Sequence, residues 1–239
     1  KKSLDEMATR TRDGPPLVVG TITESETGRG AALHNSAVLL RDGQRAETYS
    51  KRLLPTYDVF DERRYFRPGT ELSVTEINGV SVGLTVCEDA WHDVSITGHR
   101  RYESNPIAET AAAGADVIVT LAASPFSLDK PARRERRFLD HAQNANCPVV
   151  FVNQVGGNDE LIFDGHSLVV RDDRVTERST GFTAETSVVP TRKQTQSVSQ
   201  YDRDRPEQVR AALRLGLSDY FDKTGFERAV IGLSGGIDS

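Results

Sequence analysis

Short apolar bursts separated by turn residues fill the first hundred positions of this chain, and the rhythm lengthens afterwards. Leu17-Val18-Val19-Gly20-Thr21 follows a Pro-Pro pair and reads as a strand. Ser36 to Leu40 and Arg45 to Tyr49 flank Asp42-Gly43, while Val74 to Ile77 and Val80 to Val86 flank Asn78-Gly79. Each pair predicts a hairpin, because Asn or Asp followed by Gly accepts the positive φ angles of a two-residue turn. From about residue 105 the pattern predicts a helix over Asn105 to Ala113, a buried strand over Asp116 to Leu121, and a helix over Pro131 to Asn144 opened by Asp129. Pro148 to Val152 is another apolar strand, and Ser167 to Glu177 a hairpin over Asp172-Asp173. Lys1 to Ala8 has helical character. Strands in this number with helices between them predict a layered α/β sandwich.

A polar stretch over 191–204, rich in Gln, Ser and Arg, reads as a linker, with a domain boundary near residue 195. It separates a first unit, 1–190, from a second, 205–239, which starts with an amphipathic helix over Pro206 to Lys223. Ala229-Val230-Ile231 then reads as a short buried strand, leading into Gly232-Leu233-Ser234-Gly235-Gly236-Ile237-Asp238-Ser239. A glycine pair flanked by hydroxyls lets backbone N–H groups turn toward a phosphate, a task normally completed by a following helix. The sequence is therefore expected to be a fragment, cut at both ends.

Composition narrows the classes. The 239 residues, 37% hydrophobic and 27% charged, suffice for one sizeable core. A net charge of −5 with scattered basic residues argues against a nucleic-acid surface, and no apolar run approaches a membrane span. Two cysteines fit a reducing, cytoplasmic setting better than a disulfide scaffold.

The reactive chemistry lies at two strand ends, Tyr49-Ser50-Lys51-Arg52 and Thr85-Val86-Cys87-Glu88-Asp89. α/β sheets commonly gather ligands at the C-terminal ends of their strands. Taken alone, Cys87 reads equally as a nucleophile or as a packed thiol, since free cysteine is among the most buried residue types. Cys147, before Pro148, reads as core. None of His34, His92, His99, His141 and His166 is selected as a base for Cys87, and no cysteine or histidine spacing suits zinc. An activating lysine and carboxylate are what the sequence offers instead.

The tract from Lys51 through Pro55, Tyr57 and Glu62 to Phe66, followed by Val86-Cys87-Glu88-Asp89-Ala90-Trp91, resembles the nitrilase superfamily of carbon–nitrogen hydrolases. More narrowly it is similar to the glutaminase domains of glutamine-dependent NAD synthetases, over Leu4 to about Pro190. The resemblance implies a four-layer αββα sandwich and a Glu-Lys-Cys triad, with Cys87 as nucleophile, Lys51 as the triad lysine and Glu62 as a second, positioning glutamate. It assigns the substrate L-glutamine to Tyr57, Ser124 and Lys130, with the Glu88 backbone N–H facing the oxyanion. The family's general-base glutamate would lie ahead of Lys1, so a polypeptide beginning there is expected to hydrolyse glutamine poorly. Ser234 to Ser239 resembles the ATP pyrophosphatase loop, so that 205–239 would be the first helix and strand of a Rossmann-like domain. Together these imply an amidating ligase that uses ATP, Mg²⁺ and deamido-NAD, and a homo-oligomer. Two other readings stay open: a stand-alone amidohydrolase, and a catalytically silent assembly module.

Overall fold

The computed structural model describes residues 2–25, 32–92, 102–190, 197–199, 201 and 204–237. Its elements are α1 (Lys2–Arg10), β1 (Leu17–Glu24), β2 (Leu33–Arg41), β3 (Gln44–Ser50), β4 (Val74–Ile77), β5 (Val80–Val86), α2 (Pro106–Ala112), β6 (Val117–Ala122), α3 (Lys130–Ala145), β7 (Val149–Asn153), β8 (Val155–Asn158), β9 (Leu161–Asp164), β10 (Leu168–Arg171), β11 (Arg174–Arg178) and α4 (Arg205–Thr224). One sheet holds β1-β2-β3, a second β11-β10-β7-β6-β5-β4, and β8 and β9 form a hairpin of their own.

Both Asn/Asp-Gly hairpins form where their turn residues predict. Asp42 and Gly43 take φ of 55° and 79°, Asn78 and Gly79 take 51° and 76°, and the flanking strands are antiparallel. Those angles carry the right-handed strand twist through the turn. In the larger sheet β5, β6 and β7 run parallel. The crossovers contain α2 and α3, which cover the sheet's outer face.

Three apolar layers follow from this alternation of faces. Leu4 and Ala8 of α1 pack on Val19, Val38 and Leu40 of the smaller sheet. The other face of that sheet, through Val18, Ala37 and Tyr49, meets Val82, Leu84, Val86 and Val117 of the larger one. Beyond it, Ile118, Val149, Phe151 and Val170 pack against Ile107, Phe138 and Ala142 of the helices. The order is α, β, β, α. Gly83 lets α2 approach β5, for a Cβ there would lie 2.3 Å from the Thr110 methyl.

Three expectations need correction. Ala229-Val230-Ile231 forms no strand, and Val230 and Ile231 are exposed. A strand takes its hydrogen bonds from a neighbour, and among the described residues none lies beside it. Asp129 precedes α3 but does not cap it: it sits at φ 65° and its carboxylate pairs with Arg205 instead. The helix over 205–224 forms as expected, yet Leu213, Leu217 and Tyr220 point to solvent. Its contact face is the β8–β9 hairpin, which the apolar pattern did not reveal. There Gly216 meets Ile162, the Asp219 carboxylate accepts the Gly157 N–H at 2.7 Å, and the Lys223 ammonium donates to the Gly157 carbonyl.

Candidate active site

The parallel register brings the C-terminal ends of β5, β6 and β7 to one edge of the sandwich, presenting Cys87, Ser124 and Asn153 side by side. Cys87 opens a short 3-10 turn, Cys87–Ala90, at φ 46°. A non-glycine residue held at positive φ stores strain that the surroundings must offset. Asp89 supplies the offset. Its fully buried carboxylate accepts the Val86 N–H at 2.9 Å and the Tyr49 hydroxyl at 2.8 Å on one oxygen, and the Leu53 and Arg52 N–H groups at 2.9 and 3.2 Å on the other. One side chain thus ties the cysteine turn to the strand end that carries Lys51. Sequence patterning saw Asp89 only as an acid after the cysteine, because two of its three backbone donors, Arg52 and Leu53, come from a distant segment.

Lys51 is 1% exposed, and its ammonium donates to Glu62 Oε1 at 2.6 Å. Asn35 Nδ2 reaches the other Glu62 oxygen at 3.3 Å. The Lys51 N–H and C=O bond to Asn35 O and Gly69 N at 2.8 Å each, so the residue is gripped from both sides. Burial disfavours its charge, but Cys87, Glu62 and Asp89 outweigh burial and raise its pKa above the ordinary lysine value. Burial likewise pushes the Cys87 thiol up, with Glu88 and Glu62 adding to it, while Lys51 and, less strongly, Lys130 pull it down. The two cations act on the sulfur electrostatically, and the thiol is protonated at neutral pH until something takes its proton.

Glu88 is buried, and both its oxygens lie within 3.0 Å of the Tyr57 hydroxyl, with Tyr102 donating to the same carboxylate. Tyr57, expected at the substrate, is thus also a partner of Glu88. Ser124 is buried; Asn153 accepts its N–H at 2.8 Å, and Arg134 Nη2 donates to its hydroxyl at 3.4 Å. Lys130, half-buried, has its pKa lowered by burial and by Arg134, against the attraction of Cys87 and Asp164. Lys51 thus pairs with Glu62, Tyr57 with Glu88, and Ser124 with Arg134, while Cys87 is coupled electrostatically to Lys51, Glu88, Glu62 and Lys130.

Three of the histidines are engaged with other groups, and His99 lies outside the described residues. His141 Nε2 meets the Ala90 carbonyl at 2.8 Å in the helix-side core, His166 meets Asp164, and His34 meets the Arg67 carbonyl. Cys147 packs half-buried at the rim of the helix-side core. Among the described residues no group of three or more His, Cys, Asp or Glu is placed to hold a metal, and no helix is long and apolar enough to cross a membrane. The glycine loop contrasts with this order. Residues 226–237 are exposed, Gly235 takes φ 84°, and the Gly236 N–H bonds to Ser234 Oγ at 3.3 Å. Asp238 and Ser239 lie outside the described residues.

Comparison with known proteins agrees with this geometry. The carbon-nitrogen hydrolase family profile matches residues 2–196. A glutamine-dependent NAD(+) synthetase of Synechocystis is 39% identical over 235 residues, covering 93% of this chain and 42% of that protein. One of Thermotoga maritima is 34% identical and covers the whole chain but 46% of its own length. The chain thus spans less than half of the curated relatives it matches. Among solved structures, a glutamine-dependent NAD+ synthetase from Acinetobacter baumannii in complex with ADP superposes with a TM-score of 0.80 at 27% identity, over 99% of this chain and 44% of the other. An amidase of the nitrilase superfamily from Nesterenkonia, at 20% identity and a TM-score of 0.60, shares the fold over 76% of the chain.

Proposed function

The chain belongs to the carbon–nitrogen hydrolase family, and from that premise we propose that residues up to about 190 are the glutaminase part of a glutamine-dependent NAD synthetase. The observation that carries the reading is the buried Lys51 ammonium, held by Glu62 and acting electrostatically on the Cys87 thiol at the end of β5. The reaction is amide hydrolysis in two steps. The thiol gives up its proton as its sulfur bonds to the glutamine carboxamide carbon, and the carbonyl electrons move to oxygen. Lys51 and the Glu88 backbone N–H stabilise that oxyanion. Collapse expels the nitrogen, which leaves as ammonia after protonation, and a thioester to Cys87 remains. Water then adds to the thioester and releases glutamate and the thiol.

The carboxylates that bear on the sulfur are already engaged, Glu62 by Lys51 and Asn35, and Glu88 by two tyrosines. The proton acceptor of the first step is accordingly assigned to the family's separate general-base glutamate. Glu62 then keeps Lys51 charged and oriented rather than exchanging protons with substrate.

Residues 205–239 begin the synthetase part in this reading, with 191–204 as the linker. There ATP would adenylate the carboxylate of deamido-NAD, and ammonia would displace AMP to give NAD. Gly232, Ser234, Gly235 and Gly236 have the flexibility and the hydroxyl to hold the pyrophosphate oxygens. The described residues build no carboxylate site for Mg²⁺, so no step is assigned to it. Cys87→Ala in the intact enzyme provides the test. Glutamine-dependent synthesis should fall by at least about 10³-fold, the scale of losing a covalent nucleophile, while synthesis from added ammonia is retained. Equal loss of both would refute the division of labour.

A further inference from the structure

We infer that Arg134, backed by Asp164 and His166, is a positioning residue that holds Ser124 and Lys130 ready for the amino-acid end of the amide substrate. The inference rests on the glutamine reading above and extends it to residues with no part in the bond chemistry. Arg134 is fully buried in the middle of α3. Its guanidinium forks onto both Asp164 oxygens at 3.1 Å, donates to the Gly165 carbonyl at 3.2 Å, and reaches Ser124 Oγ at 3.4 Å. Asp164 is equally buried and meets His166 Nδ1 at 2.6 Å. Asn153 closes the ring, accepting from Ser124 N and donating to the Ser124 and Gly165 carbonyls.

A buried ion pair contributes little net stability compared with apolar packing, so its place next to the 124–130 loop is the informative fact. Two consequences follow from hydrogen-bond capacity. Ser124 Oγ accepts from a cation, so its one proton is directed to another acceptor. Lys130 sits four residues before Arg134 on α3, on the same helix face. Asp164 attracts Lys130, but Arg134 and His166 already occupy three of its roughly four lone-pair positions. They thereby compete with the Lys130 ammonium for Asp164. A hydroxyl donor and an ammonium acting together would select a carboxylate, which glutamine carries and a simple amide lacks.

Alkylation of Cys87 by two reagents separates positioning from folding. A diazoketone analogue of glutamine carries the amino-acid end, iodoacetamide does not, and mass spectrometry of the Cys87 adduct in the intact polypeptide gives both rates. Arg134→Met should lower the ratio of analogue rate to iodoacetamide rate roughly tenfold, the scale of one lost hydrogen bond to a charged group. Arg134→Lys, which keeps the charge and loses the fork, should recover part of that ratio. If Arg134→Met does not fold, Arg134→Lys alone carries the comparison, at roughly threefold. An unchanged ratio, whether both rates fall together or neither falls, overturns the inference. A wild-type protein that the analogue labels no faster than iodoacetamide, and without saturation, overturns the glutamine reading itself and this inference with it.

Discussion

Two segments of this chain carry comparably specific sequence signatures, yet among the described residues only the first is fixed by hydrogen bonds between distant segments. Around Cys87, four hydrogen bonds to a single buried carboxylate lock a strained turn against the end of β3, and Lys51 is gripped by backbone bonds from two further segments. Around Gly235 the chain is exposed and irregular, and the glycines have open space on every side that a Cβ would occupy. A motif names its chemistry through residue types. It performs that chemistry only where long-range partners fix the backbone, because each unfixed residue costs about 1–2 kcal/mol of entropy to order.

The sharpest way to break the contrast is at Asp89. Asp89→Asn would turn an amide N–H₂ toward donors that now share a carboxylate, and should destabilise the fold by about 2–4 kcal/mol. Chemical denaturation measures this; a change below the error of the method would mean that the clamp is not what holds the turn. Next in size is Glu62→Gln. It leaves the fold in place but weakens the hold on Lys51, so glutamine turnover should drop by about 10- to 100-fold, mostly in kcat.

The third test uses pH. Burial raises the Cys87 thiol above its ordinary value of 9.0, so the folded state keeps that proton more tightly than the unfolded chain does. Stability from this group is full below pH 9 and declines as pH climbs through the folded-state value, and the raised pKa of Lys51 acts in the same direction at higher pH. Denaturation midpoints at pH 8 and pH 10.5 should therefore differ less in Cys87→Ala than in wild type. An identical difference would show that the thiol is not the group responsible. The smallest effect is expected at the other pole of the comparison. Gly235→Ala, despite the positive φ, should change stability by less than about 0.5 kcal/mol, since an exposed segment can relax around it. By contrast, Gly83→Ala drives a methyl into Thr110 and should cost several times that.

Much of the architecture is legible because it rests on local physics. Asp42-Gly43 and Asn78-Gly79 specify their turns by φ preference, and α2 starts at Pro106 with the Asn105 side chain accepting the Ala108 N–H at 3.1 Å. The β8–β9 hairpin escaped because Val155-Gly156-Gly157-Asn158 has little strand propensity, and its stability comes from α4 resting on it. Asp129 looked like a helix cap by type and became an ion-pair partner of Arg205 by position.

Cys87, Lys51 and Glu62 were named through the family resemblance, for residue type and order alone left Cys87 open between a nucleophile and a packed thiol. Their assembly was not legible. The sequence by itself determined the hairpins, the strand–helix alternation and the residue types available for amide chemistry, all of which depend on neighbours along the chain. Only the tertiary structure decided that Asp89 would bind the end of β3 to the cysteine turn and that Arg134 would reach Ser124. Those outcomes rest on hydrogen bonds between segments about 10 to 40 residues apart, and such pairings leave no periodic trace in a single chain.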